Sequence, residues 1–257
     1  MKIMMLNIAI LFLVTSGTLR TTYAEEPAAG KQVEQAYVAK GDKEMTAGYQ
    51  LFLPKSYTAT GKKLPMIFFL HGRGESNGPL SLVKKWGPPR LADLDANFPY
   101  IVVSPQCPRK EQWKDDRQQN ILIGLLDEIV KKYNVDTDRI YLTGLSMGGY
   151  GSWTLAAGHP ERFAAVAPIC GGGKPEDAGK LKNIPIWVFH GDLDSAVSFA
   201  RSKTMVDAIK KAGGKQVRFT TLEFYGHNCW SATYASPNLY AWFNRQTASA
   251  NKKRAEK

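Results

Sequence analysis

Residues 139–149 read RIYLTGLSMGG, and the fold class can be inferred from them. The apolar run 139–143 is typical of a strand buried on both faces, and a run of small and apolar residues after Ser146 is typical of a helix. Between them lies the pattern G-x-S-x-G, with Gly144 and Gly148 each two residues from Ser146. Side chains at those two positions would clash in a turn sharp enough to raise a serine hydroxyl above a sheet. The stretch therefore predicts a strand, a tight turn and a helix, with Ser146 as a nucleophile and the backbone N–H of Met147 aimed at the reaction centre; a turn that merely packs helix on strand is the alternative.

Short apolar runs on both sides of this unit alternate with helical patterns. Strands are predicted at 36–40, 49–53, 65–70, 100–104, 139–143, 164–168, 185–189 and 216–222, and helices at 120–133, 147–158, 199–212 and 237–245. This alternation predicts an α/β fold with a mostly parallel central sheet flanked by helices, in which ligands bind beyond the carboxyl ends of the strands. Only a short, polar, glycine-rich stretch separates residues 168 and 185, so we expect a single domain without a large cap.

A serine hydroxyl needs a base to take its proton, and the chain has four histidines. His159 stands at a predicted helix end, where it would cap the helix. His71 and His190 each end a strand in a His-Gly pair, a position that favours a structural role. His227, in YGHNCW, follows the last strand and lies after Ser146 in the chain, which is the order that this turn chemistry uses. We therefore predict that His227 is the base.

The base needs a carboxylate to orient it, and two acids compete in the segment 190–197, HGDLDSAV. Asp194 lies deeper in the loop, and its spacing from the preceding His-Gly pair favours it. Asp192 could instead hydrogen-bond loop amides in an Asx turn. We expect Asp194 to be the acid, with Asp192 as the alternative.

A second glycine-rich segment, 71–75 (HGRGE), follows the predicted strand 65–70. Gly72 and Gly74 would let the backbone approach a substrate oxygen closely, and both are candidate substrate-binding residues. The backbone N–H of Arg73 would then join that of Met147 in an oxyanion hole, which stabilises the charge that develops in acyl transfer. The alternative is an ordinary glycine-rich turn.

Taken together, the segments HGRGE, GLSMGG, HGDLDSAV and YGHNCW resemble the α/β-hydrolase superfamily over residues 45–243. The resemblance is to its small carboxylesterase/phospholipase group, including secreted "predicted peptidases", polyhydroxybutyrate depolymerase-like proteins and feruloyl esterases. The stretch 104–108 (SPQCP) also resembles that group. Ser198 departs from the pattern, since such loops often carry proline after the position of Val197. The resemblance implies a serine hydrolase that cleaves carboxylic esters through an acyl-enzyme, and it implies no metal or organic cofactor.

The expected substrate is a small-molecule ester or an ester carried on a polymer, because an uncapped site is open. Trp113 and Trp230 are candidate pocket walls, although either could belong to the core. Two alternatives remain: a serine peptidase acting on short peptides, and a binding module that keeps the fold without the activity.

Residues 1–24 have the pattern of a secretory signal peptide: Lys2, an apolar run over 3–14 and small residues before a cleavage point after Ala24. We expect a secreted or periplasmic protein with no membrane span after cleavage, a catalytic domain over 25–243 and a basic, mobile tail over 244–257. The formal net charge of +11 includes two cations of the leader and a net +4 on the tail. The remaining +5 and the lack of a recognition motif exclude nucleic acid as the expected partner.

The three cysteines, Cys107, Cys170 and Cys229, all follow predicted strands at the carboxyl edge of the sheet. Export would permit a disulfide there, either between Cys107 and Cys229 or with Cys170 as a partner. Three reduced thiols are the alternative. The sequence leaves the oligomeric state open.

Overall fold

The molecule is built on one eight-stranded sheet. The computed structural model describes residues 10–13, 20–23, 27–76 and 78–256. In chain order the strands are β1 (Ile10–Leu13), β2 (Arg20–Tyr23), β3 (Gln32–Ala39), β4 (Asp42–Phe52), β5 (Leu64–Leu70), β6 (Ile101–Pro105), β7 (Val135–Leu145), β8 (Ala165–Ile169), β9 (Ile186–Gly191) and β10 (Val217–Leu222).

The main sheet has the order β10-β9-β8-β7-β5-β6-β4-β3. The strands from β10 to β6 are parallel, whereas β4 pairs antiparallel with both β6 and β3. The carboxyl ends of β5, β7, β8, β9 and β10 therefore lie along one edge of the sheet. The predicted α/β fold with a mostly parallel sheet is confirmed.

Helices cover both faces of this sheet. Their bounds are α1 (Gly87–Leu94), α2 (Asp116–Lys132), α3 (Met147–Gly158), α4 (Ala178–Leu181), α5 (Ala200–Lys211), α6 (Trp230–Ala235), α7 (Pro237–Phe243) and α8 (Ala248–Ala255). Between β8 and β9 the chain forms only a short 3-10 turn and the four-residue α4, so no cap domain lies in this connection.

Side chains of β5 alternate between two apolar cores, as the two-residue period of a strand requires. Met66, Phe68 and Leu70 pack in the core that contains the buried faces of α2, α3 and α5. Ile67 and Phe69 pack in the opposite core, with α1, α6 and α7. All five side chains are fully buried, which explains the continuous apolar run of this strand.

The predicted strands and helices are all observed, although β4 begins at Asp42, seven residues before its predicted start. Four helices, α1, α4, α6 and α8, are additional, as are the strands β1 and β2. α1 and α6 are short and carry proline or tryptophan where a helix pattern was not apparent.

α8 lies in the segment expected to be a mobile tail. Thr247 caps it by accepting the N–H of Ala250, and Asp138 accepts two hydrogen bonds from Ser249. Buried Asn251 donates to the carbonyl oxygens of Phe163 and Ala164. In place of a solvated tail, the structure thus has a helix attached to the body of the sheet.

The leader predicted for residues 1–24 lies largely outside the described residues. Its described parts are β1 and β2, which pair antiparallel in a separate two-stranded sheet. Within the described residues, none of the helices combines the length and the apolar character that a membrane crossing requires.

Candidate active site

Ser146 occupies a strained turn between β7 and α3, as the glycine pattern predicts. Its backbone lies at φ 53° and ψ −115°, a conformation that residues with a side chain rarely adopt. A Cβ atom at Gly148 would lie 1.9 Å from the carbonyl oxygen of Leu70, and one at Gly144 would lie 2.4 Å from that of Gly148. The turn therefore requires glycine at both positions. The N–H of Ser146 donates to Ile169 at 3.0 Å, which ties the turn to β8.

His227 reaches the serine hydroxyl from the loop between β10 and α6. Its Nε2 lies 2.9 Å from Oγ of Ser146, and its Nδ1 lies 2.7 Å from Oδ2 of Asp194. An ionised carboxylate can only accept a hydrogen bond, so the proton of the neutral ring resides on Nδ1. The lone pair of Nε2 then faces the hydroxyl of Ser146. The arrangement can move a proton from the serine to the imidazole.

Asp194 is held in the loop after β9 with its side chain fully buried. Oδ1 accepts the backbone N–H groups of Ala196 and Val197 at 2.9 and 2.8 Å. Burial raises the pKa of this carboxyl, but the hydrogen bonds from His227, Val197 and Ala196 outweigh burial and hold the pKa below its ordinary value. Asp192 is exposed, and its N–H donates to Leu222. The structure thus brings Ser146, His227 and Asp194 together and leaves Asp192 aside.

His190 is a second histidine on the same carboxylate, a contact that sequence reasoning missed. Its buried Nε2 lies 3.1 Å from Oδ2 of Asp194 and 2.9 Å from the carbonyl oxygen of Val197. Nδ1 lies 2.7 Å from Oγ of Ser202. The four-residue spacing of His190 and Asp194 in HGDLD was the available signal. His190 thus packs against the acid from its buried side, with its own ring held by Val197 and Ser202.

The segment 71–75 lies directly against the serine. A Cβ atom at Gly72 would lie 3.7 Å from Cβ of Ser146, whereas one at Gly74 would meet no atom within 4 Å. Gly72 therefore lines the reaction centre, and Gly74 lies at the exposed side of the turn. Among the described residues, neither the N–H of Arg73 nor that of Met147 is donated to another acceptor. Neither backbone N–H is therefore used by the fold at this turn.

His71 fixes the shape of this segment from inside the protein. Its Nδ1 donates to the carbonyl oxygen of Gly72 at 2.6 Å, and its Nε2 accepts the N–H of Cys107 at 3.0 Å. Burial lowers the pKa of His71 to about 4, so the ring is neutral at physiological pH. The guanidinium of Arg73 donates to the carbonyl oxygens of Arg109 and Glu111, at 2.8 Å each. Both side chains connect the turn to the loop after β6.

Glu75 is a buried acid beside the same turn, and no pattern in the sequence pointed to its role. It is only 5% exposed, and a Cβ atom at Gly72 would lie 3.3 Å from its Oε2. Burial raises the pKa of Glu75, while the charge of Lys85 and hydrogen bonds from the backbone of Gly72 and the side chain of Trp86 lower it. The carboxylate therefore links the turn to Trp86.

The two candidate tryptophans have different positions. Trp113 is fully buried and donates its indole N–H to the carbonyl oxygen of His71 at 2.9 Å. The prediction that it walls the pocket is wrong, because its ring packs in the core under the turn. Trp230 is partly exposed, and its ring lies edge-on to His227, with the ring centroids 5.1 Å apart. Trp230 therefore flanks the base.

The three cysteines are buried free thiols. Burial raises the pKa of Cys107 to about 12 and also raises that of Cys170. Cys170, Asp194 and His227 are the one set of His, Cys, Asp or Glu among the described residues whose ligand atoms all lie within 4.8 Å of one another. Both ring nitrogens of His227 and both oxygens of Asp194 already have hydrogen-bond partners, so this geometry fits proton transfer better than coordination of a metal.

In sequence and in structure, the chain is similar to known esterases. The model of the Esterase family, described as "Putative esterase", matches residues 42–255. The chain is 28% identical over 147 residues to a bifunctional acetylxylan esterase/xylanase of Neocallimastix patriciarum, covering 52% of this chain and 20% of that protein. It is 24% identical over 184 residues to acetylxylan esterase A of Aspergillus awamori, covering 65% of this chain and 57% of that protein. The chain thus spans less than two thirds of these relatives.

A crystal structure of a thermostable esterase superposes with a TM-score of 0.74 and 32% identity, covering 85% of this chain and 64% of that one. With the family model covering most of the sequence, these likenesses establish that the chain belongs to the Esterase family of the α/β-hydrolase fold.

Proposed function

We propose that this protein is a carboxylic ester hydrolase in which Ser146, His227 and Asp194 form the catalytic triad. The observation that carries the proposal is the hydrogen-bonded row from Oγ of Ser146 through both nitrogens of His227 to Oδ2 of Asp194, at 2.9 and 2.7 Å. Within this row, Ser146 lies on a strained turn at the carboxyl edge of the sheet. Such strain is maintained only where the surrounding structure fixes it, and it is frequent at reactive sites.

Acylation begins when Nε2 of His227 takes the proton of Ser146 as Oγ attacks the ester carbonyl. The tetrahedral oxyanion accepts hydrogen bonds from the backbone N–H groups of Arg73 and Met147. Asp194 stabilises the imidazolium that forms. The intermediate collapses as the C–O bond to the alcohol breaks, and His227 returns its proton to the departing alkoxide.

Deacylation repeats these steps with water as the nucleophile. His227 takes a proton from the water as its oxygen attacks the acyl carbonyl. The second oxyanion accepts hydrogen bonds from the same two backbone N–H groups. His227 then gives its proton to Oγ of Ser146 as the bond between Oγ and the acyl carbon breaks. The carboxylic acid leaves and the free enzyme is restored, so the cycle consumes one water for each ester and needs no other reactant.

The absence of a large insertion between β8 and β9 supports soluble esters and esters carried on a polymer as substrates. The acetylxylan esterases among the relatives act on a polymer by name, which supports the second kind. We further propose that residues 1–24 are a signal peptide cleaved after Ala24, that 25–243 together with the docked helix α8 form the catalytic domain, and that the mature protein is secreted or periplasmic. N-terminal sequencing of the exported protein tests the cleavage point: a chain that retains Met1 would contradict it.

Pre-steady-state hydrolysis of 4-nitrophenyl acetate tests the activity. We expect a burst of 4-nitrophenol equal to the enzyme concentration, followed by slower turnover, and neither in Ser146→Ala. Ser152→Ala is the matched control, since this buried serine lies on α3 and hydrogen-bonds the carbonyl oxygen of Gly148 away from His227. Full turnover by Ser146→Ala would refute the triad. A matched pair of ester and amide substrates separates an esterase from a peptidase.

A further inference from the structure

A buried carboxylate lies beside the turn 72–75 and has no place in the proton transfer of the triad. Glu75 is 5% exposed, and its Oε2 lies 3.3 Å from the position that a Cβ atom on Gly72 would occupy. Cβ of Ser146 lies 3.7 Å from the same position. The carboxylate and the nucleophile therefore both border Gly72, the residue that precedes Arg73.

Glu75 binds back onto the turn that contains it. Arg73–Glu75 form a 3-10 turn with Gly72 at its N-cap, and the N–H of Glu75 donates to the carbonyl oxygen of Gly72 at 3.3 Å. In the opposite direction, the carboxylate of Glu75 accepts the backbone N–H of Gly72. A glutamate three residues after the N-cap that accepts the N-cap N–H is one half of a capping box. Glu75 thus closes the turn through both its backbone and its side chain.

The peptide groups on both sides of Gly72 are fixed in this way. The carboxylate of Glu75 holds the N–H of Gly72, while Nδ1 of His71 donates to its carbonyl oxygen at 2.6 Å. Because a peptide group is planar, the direction of the Gly72 carbonyl determines the direction of the Arg73 N–H. Glycine has wide conformational freedom, so the turn could rotate about Gly72 if its N–H were released. The direction of the Arg73 N–H therefore depends on Glu75.

The same carboxylate also reaches the aromatic residues beside the base. It accepts the indole N–H of Trp86, whose ring lies edge-on to that of Trp230, with the centroids 6.1 Å apart. Trp230 in turn lies edge-on to His227. Since Trp86 directly precedes α1, the carboxylate is anchored to an element outside the turn.

We propose that Glu75 is a positioning residue: its carboxylate holds the turn 72–75 in the shape that aims the N–H of Arg73 at the oxyanion formed on Ser146. This inference rests on the proposed esterase function. The carboxylate accepts N–H groups of the protein, so Glu75 acts through Arg73 and does not exchange a proton with the substrate. A donor held in this way is in place before the charge of the transition state develops.

Glu75→Gln tests the proposal with 4-nitrophenyl acetate. The amide keeps the size of the side chain, but its NH2 group cannot accept an N–H. We expect kcat to fall about ten- to a hundredfold, because acylation and deacylation both use the N–H of Arg73. KM should stay within about twofold of the wild-type value, since the lost interaction belongs to the transition states.

A transition-state analogue gives a readout that a loss of stability alone would not change. 2,2,2-Trifluoroacetophenone adds to the serine hydroxyl and forms an oxyanion in the place of the tetrahedral intermediate. Its inhibition constant should rise in Glu75→Gln by the same factor as kcat/KM falls. Trp86→Phe, which removes only the indole N–H from the carboxylate, should change both constants in the same direction and by less.

Glu34→Gln is the matched control. Glu34 accepts a hydrogen bond from Gln50 and lies on β3, the outermost strand of the main sheet. The same loss of a carboxylate there should leave kcat, KM and the inhibition constant of the ketone at their wild-type values.

The proposal is overturned if Glu75→Gln keeps the wild-type kcat, or if kcat falls while the inhibition constant of the ketone is unchanged. A raised KM at an unchanged kcat would also overturn it, since Glu75 would then support binding of the ground state. If Glu75→Gln does not fold, Trp86→Phe decides, and wild-type kinetics in that variant overturn the proposal. Failure of the esterase proposal is distinguishable, because the wild type itself would then neither turn over the ester nor be inhibited by the ketone.

Discussion

Nε2 of His190 lies 3.1 Å from Oδ2 of Asp194, the same oxygen that Nδ1 of His227 contacts at 2.7 Å. One carboxylate oxygen thus contacts two imidazole rings. The ring of His190 is fully buried, and that of His227 faces the serine. With the N–H groups of Ala196 and Val197 on Oδ1, the acid has donors on both oxygens. Its position relative to His227 is therefore fixed before any substrate binds.

Replacing His190 should weaken catalysis through Asp194. In His190→Gln the carboxylate loses the imidazole contact and shifts, and we expect kcat to fall about ten- to a hundredfold. KM should stay close to that of the wild type, because the variant displaces the acid and leaves the surface that meets the substrate in place. Steady-state kinetics with a soluble ester are the measurement. A kcat equal to that of the wild type would show that the contact between His190 and Asp194 does not position the acid.

The choice between the two acids is tested by a pair of isosteric variants. Asp194→Asn removes the charge that stabilises the imidazolium, and we expect kcat to fall about 10³- to 10⁴-fold. Asp192→Asn should keep nearly full activity, because Asp192 is exposed and contacts the site only through its backbone. Steady-state hydrolysis of one aryl ester by both proteins suffices. The reverse pattern would assign the acid to Asp192.

His71 makes stability depend on pH. Its folded pKa of about 4 lies below the ordinary value of 6.5, so the unfolded chain binds more protons between these values. The contribution of neutral His71 is fully present above pH 6.5 and is lost as the pH falls towards 4. We expect a loss of about 3 kcal/mol in the free energy of unfolding across this interval. Urea denaturation at several pH values measures it, and His71→Gln should flatten the curve; an unchanged slope in that variant would contradict the assignment.

The thiols should be reduced and protected. Cys107, Cys170 and Cys229 are buried, and burial raises the pKa of Cys107 to about 12. We expect iodoacetamide to leave the native protein unmodified and to alkylate all three thiols in denaturant without prior reduction. Intact mass spectrometry counts the modifications. One alkylated thiol in denaturant, rising to three after reduction, would show that two cysteines form a disulfide.

The features predicted well from sequence are those that local chemistry determines. The strand runs were apparent because buried parallel strands are apolar on both faces, and Ser146 because its turn excludes side chains at Gly144 and Gly148. The contact of Glu75 with Trp86 depends on tertiary packing, which leaves no periodic pattern in the sequence. Trp113 illustrates the same limit: an aromatic residue on a loop can face either the substrate or the core, and only the fold places it beneath His71. Docking of α8 likewise depends on Asp138, a residue distant in sequence.

The central claim is that Ser146 forms the covalent intermediate. Reaction with a 4-nitrophenyl alkylphosphonate, followed by intact mass and peptide mapping, tests it most directly. We predict one phosphonyl group per chain, located on Ser146, with activity lost in proportion to labelling and no label on Ser146→Ala. Labelling at another residue, or an unlabelled and fully active Ser146→Ala protein, would contradict the account.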